Sequence, residues 1–311
     1  MKKLNRRRFL AGGAATAAAL GLAAPSRHGA GRAAPADRHI LRPSAVARSE
    51  GIVDTHVYIG RWPFRHLPGD EIDSLLATLE ANGVGQAWAG PFEALFHKDV
   101  ARLNRQVERL CRERGGRRLL PVGTVNVKYP GWERDVEECR QLGMRVLRVH
   151  PTYQNYDLDG EPAFKGLLHM AAERDMIVQV VAWMQDERHH HPMMPVPRLN
   201  LAPLPELVES VPSARVQVIN GIRNPELPIA RVLAAHPRIW TDFGNMDTLR
   251  CVATLLEIFP EDRVCFSSFE PMIYIDMNLL KMQESAIPEP VARRILSDNA
   301  RALLGPHRRR T

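Results

Sequence analysis

From Gly51 onward the chain alternates short apolar runs with longer amphipathic ones. The apolar runs are Ile52–Tyr58, Gly85–Ala89, Leu119–Val125, Arg145–Val149, Ile177–Ala182, Arg215–Ile219, Arg238–Phe243 and Arg263–Ser267. Runs this short, rich in Val and Ile, predict strands buried on both faces. Between them, helical periodicity predicts helices over Glu71–Asn82, Asp99–Arg114, Trp132–Leu142, Ala163–Arg174, Leu204–Val211, Pro225–Ala235 and Thr248–Phe259, with a longer helical region from Met277 to Leu304. Eight strand-then-helix units over roughly 255 residues predict an α/β fold, a (β/α)₈ TIM barrel of parallel strands. An open doubly wound sheet is the alternative, but no G-x-G-x-x-G turn follows the first strand.

A barrel places its chemistry at the C-terminal ends of the strands and in the loops after them. The segments to inspect are therefore 54–68, 89–97, 124–130, 148–160, 183–200, 219–224, 241–247 and 267–274.

Charge modifies this picture only at the N-terminus. The formal net charge is +7. Residues 1–36 carry seven basic side chains (Lys2, Lys3, Arg6, Arg7, Arg8, Arg27, Arg32) and no acidic one. The remainder is balanced, so composition gives no support to nucleic-acid binding. Asn5-Arg6-Arg7-Arg8-Phe9-Leu10, followed by an Ala/Gly/Leu-rich stretch to Ala24, resembles a twin-arginine export signal. That stretch is too short for a stable membrane anchor. The expected organisation is a signal over 1–36, a linker over 37–50, the barrel over 51–305 and a basic tail over 306–311. The resemblance implies the export machinery as a partner and a periplasmic or extracellular destination. The four cysteines form no C-x-x-C pair, and buried free thiols are expected. Nothing in the sequence defines an oligomeric state.

The first strand ends Asp54-Thr55-His56-Val57-Tyr58-Ile59-Gly60. It resembles the opening D-x-H-x-H-x-G of the metal-dependent amidohydrolases, in which two alternating histidines bind one divalent ion. The closing helix, Ile295 to Leu304, is similar to that family's ending. The resemblance implies an amidohydrolase-related enzyme, a group that includes decarboxylases of small aromatic acids and hydrolases of lactones and amides. The ligand positions depart from the family pattern. Tyr58 replaces the second histidine. Trp183 and Asn220 stand where histidines end strands five and six. In Ser267-Ser268-Phe269-Glu270-Pro271, Phe269 stands in the place of the aspartate.

A lone imidazole cannot hold a catalytic divalent ion. The cofactor is therefore a divalent metal at a rebuilt site, zinc before others, with His56 and His150 as ligands, or there is none. His56, Asp54, Asp242 and Glu270 are the candidate catalytic groups, with Asp54 orienting His56. Arg61, Trp62, Arg65, Arg148, His150, Tyr153, Trp183, Asp186, Glu187 and Asn220 are candidate substrate contacts. The arginines suit a carboxylate and the aromatic residues a flat ring. The segment Asp186-Glu187-Arg188-His189-His190-His191 reads as a polar loop, a lid or a metal site. Two functions remain open: a hydrolase or carbon–carbon lyase acting on a small carboxylated or aromatic compound, and a non-catalytic small-molecule-binding protein on the same barrel.

Overall fold

The computed structural model describes residues 51–306. Eight parallel strands follow one another in space as in sequence. They are β1 (Ile52–Ile59), β2 (Val84–Pro91), β3 (Leu119–Pro121, resumed at Gly123–Thr124), β4 (Val146–Val149), β5 (Ile177–Val181), β6 (Arg215–Ile219), β7 (Ile239–Asp242) and β8 (Val264–Cys265). The break in β3 is bridged by the Val122 N–H, which donates to the Ala89 carbonyl at 2.9 Å. The ring closes between β1 and the segment after β8. Thr55 N–H donates to Phe266 O at 3.0 Å, Phe269 N–H to His56 O at 2.9 Å, and Tyr58 N–H to Glu270 O at 2.9 Å. The expected (β/α)₈ barrel is thus the observed fold.

Outside the strands lie α1 (Ile72–Ala81), α2 (Val100–Leu110), α3 (Trp132–Gln141), α4 (Pro162–Glu173), α5 (Leu204–Glu209), α6 (Pro228–Ala234), α7 (Cys251–Leu256), α8 (Ile275–Glu284), α9 (Glu289–Arg293) and α10 (Asn299–Leu304). Local chemistry explains their ends. Asp99 caps α2 by accepting the Arg102 N–H, and Glu161 caps α4 at Ala163, with Pro162 in the first turn. The helical region expected over Met277 to Leu304 is two helical runs, α8 and then α9 joined to α10 through a π-helical turn, Arg294–Asp298. Ala286 has a left-handed φ of 49° and Pro288 follows it, so α8 cannot continue. The helices after β5, β6 and β7 are each shorter than expected.

The two faces of the strands do different work. Outward residues such as Val57, Val149, Val180 and Val218 join the large core beneath the helices. Inward residues form layers. At the bottom, Val53, Trp88, Val146, Ile177 and Cys265 pack with Ala300 and Leu303 of α10. Above them is a polar layer. Arg148, Gln179 and Gln217 are register partners on β4, β5 and β6. Arg148 donates to Gln179 Oε1 at 2.8 Å and, across the lumen, to the carbonyls of Val57, Thr55 and Trp88 at 2.9, 3.3 and 3.1 Å. Gln179 donates to Gln217 Oε1 and to Thr55 O, and Gln217 donates to Thr55 Oγ1, each at 2.8 Å. Those luminal carbonyls are satisfied by side chains that cross from the opposite wall.

β1 carries a bulge. Asp54 pairs with Ala87 and Val57 with Ala89, so three residues of β1 span two of β2. The extra residue restores Tyr58 to the lumen although Val57 faces outward. Simple alternation along Asp54-Thr55-His56 therefore does not hold.

Arg148 occupies room that only a glycine leaves. A Cβ on Gly90 would stand 3.2 Å from Arg148 Nη1. Four hydrogen bonds prevent the guanidinium from yielding. Gly90→Ala is expected to lower stability by about 1–3 kcal/mol, the usual cost of overpacking, as read from urea denaturation. An unchanged midpoint would show that Arg148 is free to shift.

Candidate active site

Above the polar layer, the mouth of the barrel is lined by rings. Tyr58 stacks on Phe92 at 4.3 Å between centroids, and His56 stacks on Phe269 at 4.6 Å. His56 meets Tyr58 edge-on at 5.0 Å. The Arg148 guanidinium lies 4.8 Å from the centre of the Tyr58 ring, a cation–π contact. The Tyr58 hydroxyl is 2.7 Å from His150 Nε2 and 3.3 Å from Met184 Sδ. All of these groups are buried. Phe269 holds its ring over His56 from a left-handed backbone, φ 65°, a conformation that costs a non-glycine residue about 1–3 kcal/mol.

The carboxylates of the mouth are bound to backbone. Asp54 Oδ1 accepts the N–H groups of His56 (3.1 Å) and Ser268 (3.0 Å). It therefore fixes the bulge and the closing seam, and does not orient the His56 ring as expected. Asp242 accepts the Asn220 N–H at 2.9 Å and the Ser267 hydroxyl at 2.7 Å. Both of its oxygens are engaged in joining the ends of β6, β7 and β8. Glu270 Oε1 accepts the Ile275 N–H at 2.8 Å at the start of α8. Asn278 of that helix donates to Ser268 O at 2.9 Å, so α8 and the closing segment hold each other.

Burial dominates their electrostatics. It pushes Asp54 and Asp242 up to about 6, against the opposing pull of hydrogen bonds from Ser268 and Ser267. It pushes Glu270 up to about 7, with the neighbouring Asp54 charge adding to the effect. His56 and His150 are held well below 6.5, first by burial and then by the charge of Arg148. At neutral pH both imidazoles are uncharged.

Several expected substrate contacts lie elsewhere. Arg148 is fully buried with its donors committed to the barrel, so it braces the site from beneath and cannot clamp a ligand. Arg61 is exposed and paired with Glu71. Asp186 pairs with Arg188, and Glu187 with Arg198. The histidines beside them do not converge. His190 is braced by Gln185 O and the Val196 N–H, and His191 accepts the Met193 N–H. Arg65, by contrast, lies on the rim against Met272 Sδ at 3.4 Å and pairs with no carboxylate among the described residues. Trp62 and Tyr153 join Phe64 and Phe96 in an edge-to-face cluster at the rim. Trp183 lies beneath Arg198, and its backbone carbonyl accepts from Asn220 Nδ2 at 3.1 Å.

Sequence reasoning missed Phe92, Met184, Gln179, Gln217 and Ser267. The two glutamines had a signal. Each sits in the same Val-Gln-Val string in the middle of an apolar strand, a placement that needs a partner across the lumen.

The donor set does not fit a catalytic divalent ion, which takes about three protein ligands and an open position. Among the described residues, no three His, Cys, Asp or Glu side chains are grouped to hold one. His150 gives one nitrogen to Tyr58, and the rings of Phe269 and Tyr58 crowd His56.

The mouth is distinguished by what is left unpaired. Eleven buried side-chain polar atoms among the described residues have no hydrogen-bond partner. They belong to Asp54, His56, Trp62, Asp70, Thr124, His150, Tyr156, Trp183, Gln185 and Asn220. Apart from Asp54, early in β1, these residues lie towards the C-terminal end of a strand or in the loop after it, and of the loop residues Tyr156 turns into the core beneath the helices. Such atoms are rare in folded proteins and each costs about 1–3 kcal/mol.

Fold and site together define a (β/α)₈ protein whose polar groups gather at one mouth of the barrel. The family comparison gives this class a narrower identity. An amidohydrolase family model matches residues 53–305, and the chain belongs to that family. No curated protein matches it in sequence. Similar solved structures include 5-carboxyvanillate decarboxylase from Novosphingobium aromaticivorans, with manganese bound there. It is 14% identical, with a TM-score of 0.63, covering 83% of this chain and 97% of its own. A 2,6-dihydroxybenzoate decarboxylase from Rhizobium is 14% identical with a TM-score of 0.61, covering 82% and 98%. A probable 2-pyrone-4,6-dicarboxylic acid hydrolase from Acinetobacter baumannii is 13% identical with a TM-score of 0.60, covering 81% and 98%. At these identities the likeness is one of fold.

The raised carboxyls fix a pH dependence. A carboxyl with a raised folded pKa keeps its proton after the unfolded chain has lost it, so stability falls as pH rises through the folded value. The two histidines pull the other way: in the unfolded chain an imidazole is half protonated at pH 6.5, in the folded one it is neutral, so both add stability as pH climbs from there. Between pH 6.5 and 8 the carboxyls are expected to remove on the order of 1 kcal/mol, mostly through Glu270, and the imidazoles to offset much of it. Glu270→Gln should therefore make the unfolding free energy climb across that interval relative to wild type in urea denaturation. A variant profile parallel to wild type would assign the carboxyl contribution to other groups.

Proposed function

We propose that this protein acts on a small aromatic or carboxylated compound at the barrel mouth, as a hydrolase or carbon–carbon lyase that works without the family's catalytic metal. The single observation behind this reading is the gathering of unpaired buried polar atoms at that mouth. A barrel kept only as scaffold has no reason to retain them there. Membership of the amidohydrolase family and the likeness to decarboxylases of aromatic carboxylates support the ligand class.

In this reading Arg65 meets the carboxylate from the rim, and Trp62, Phe64, Phe96 and Tyr153 lie against the ring. Glu270 and Asp54, both raised toward neutrality, hold or accept a proton near His56. Asp242, Arg148, Gln179 and Gln217 keep the strand ends in register.

A second reading is a non-catalytic binding protein. It is supported by the His56–Phe269 stack, which covers the imidazole with an apolar ring.

Elemental analysis of protein purified without a histidine tag from metal-replete cells is expected to find less than one tenth of an equivalent of zinc or manganese. A stoichiometric metal, lost in His56→Ala, would overturn the metal-free reading. Turnover of aromatic carboxylates in chelator-treated protein separates the enzyme from the binding protein.

We also propose export through the twin-arginine route. The signal and the linker lie outside the described residues, as do residues 307–311 of the basic tail. No helix among the described residues is long and apolar enough to cross a membrane. Arg6→Lys combined with Arg7→Lys is expected to retain the protein in the cytoplasm, at least tenfold above wild type by fractionation. Unchanged export would remove this route.

A further inference from the structure

We propose that His150 presents a bare, unprotonated Nδ1 to a ligand that carries an O–H or N–H donor, and that Tyr58 and Met184 are the positioning residues that fix this tautomer. The inference rests on reading the mouth as a small-molecule site, and it identifies one atom of that site and the chemistry it selects.

The argument starts from counting protons. His150 is fully buried, and its Nδ1 has no partner among the described residues. Its Nε2 lies 2.7 Å from the Tyr58 hydroxyl, and that hydroxyl lies 3.3 Å from Met184 Sδ. A phenol has one proton to give, and a neutral imidazole has one. Burial keeps both groups neutral, with the Tyr58 pKa raised and that of His150 lowered.

Two arrangements use these protons. In the first, Tyr58 donates to Nε2, the imidazole proton sits on Nδ1, and Met184 is unused. This makes one hydrogen bond and leaves an N–H donor buried without an acceptor. In the second, Nε2–H donates to the Tyr58 oxygen, and the phenol proton turns to Met184 Sδ. This makes two hydrogen bonds and leaves Nδ1 as a lone pair.

The second arrangement is favoured on both counts. It gains the extra bond, and it replaces an orphaned N–H with an orphaned acceptor, the less severe of the two. The Arg148 guanidinium also acts on the Tyr58 hydroxyl, but it only donates, so it takes neither proton and leaves the phenol oxygen a lone pair for Nε2–H. The Tyr58 ring is fixed between Phe92 and the Arg148 guanidinium. The two nitrogens of one imidazole point away from each other, so the Nδ1 lone pair is directed away from Tyr58. It can accept from a phenol, an alcohol or an amide, but gains nothing from an ether or a bare carboxylate. The aromatic lining makes a phenol the simplest ligand of this class.

The test reads the tautomer directly. Protein labelled with nitrogen-15 histidine gives imidazole resonances for each of the 12 histidines, and loss of one set in His150→Gln assigns His150. In wild-type, ligand-free protein, Nδ1 is expected to resonate as unprotonated and Nε2 as protonated. A proton on Nδ1 overturns the proposal. Met184→Leu keeps volume and fold, as circular dichroism would verify, but removes the second acceptor. It is expected to move the tautomer ratio at least tenfold toward Nδ1–H, and an unchanged ratio overturns the role of Met184. Titration with phenol should shift the Nδ1 resonance, and anisole, which lacks the donor, should bind about tenfold more weakly. Equal affinity for the two overturns the ligand assignment. The tautomer is read without ligand or turnover, so an inactive protein with a bare Nδ1 would sink the enzymatic reading and leave this one standing.

Discussion

The barrel depends on one buried cation. Arg148 stands in the lumen and reaches the carbonyls of two opposing strands as well as the amide of Gln179. A guanidinium cannot shed its proton to escape burial, so its donors must all find oxygen. This requirement explains much around it: the luminal glutamines, the glycine at position 90 and the cation–π contact with Tyr58. Burial keeps both mouth histidines neutral, and the charge that braces the wall reinforces that one layer above.

The mouth combines two tendencies that usually exclude each other. Its rings pack as a hydrophobic cluster, with Phe92, Phe269, Tyr58 and Met184 all buried. Interleaved with them are imidazole, indole and amide atoms without partners among the described residues. An apolar filling would have been made from aliphatic residues alone. Polar atoms held in place by packing, and not by bonds to one another, are pre-organised for something that is not part of the barrel wall.

The architecture was legible in the sequence because it rests on local pattern. Strands of the Ile-Val-Gln-Val-Val kind and the helices between them declare a parallel barrel whatever the site contains. The break inside the C-terminal helical region falls at Ala286, which carries no signal for a left-handed backbone, although Pro288 just after it does mark a stop. The site was less legible. Asp54, His56, His150, Trp62 and Tyr153 do lie at the mouth, since strand ends locate them. Arg148 was misassigned because strand parity says that a residue faces inward, but not at what height its long side chain stops. The bulge in β1 was invisible for a similar reason: register belongs to pairs of strands, and a single sequence shows one at a time. Phe92 and Met184 were missed because nothing separates a site-forming ring or thioether from an ordinary core residue until its neighbours are known.

The closing seam has a consequence for the order of assembly. Thr55 bonds to Phe266, 211 residues further along, and the His56 and Tyr58 backbone groups wait for Phe269 and Glu270. During synthesis the chain emerges from its first strand onward, so β1 spends most of translation with one edge unpaired. The mouth does not exist as a site until nearly nine-tenths of the chain has been made. Whatever binds there can meet only a closed barrel, and ligand capture becomes a report that the seam between β1 and the segment after β8 has formed.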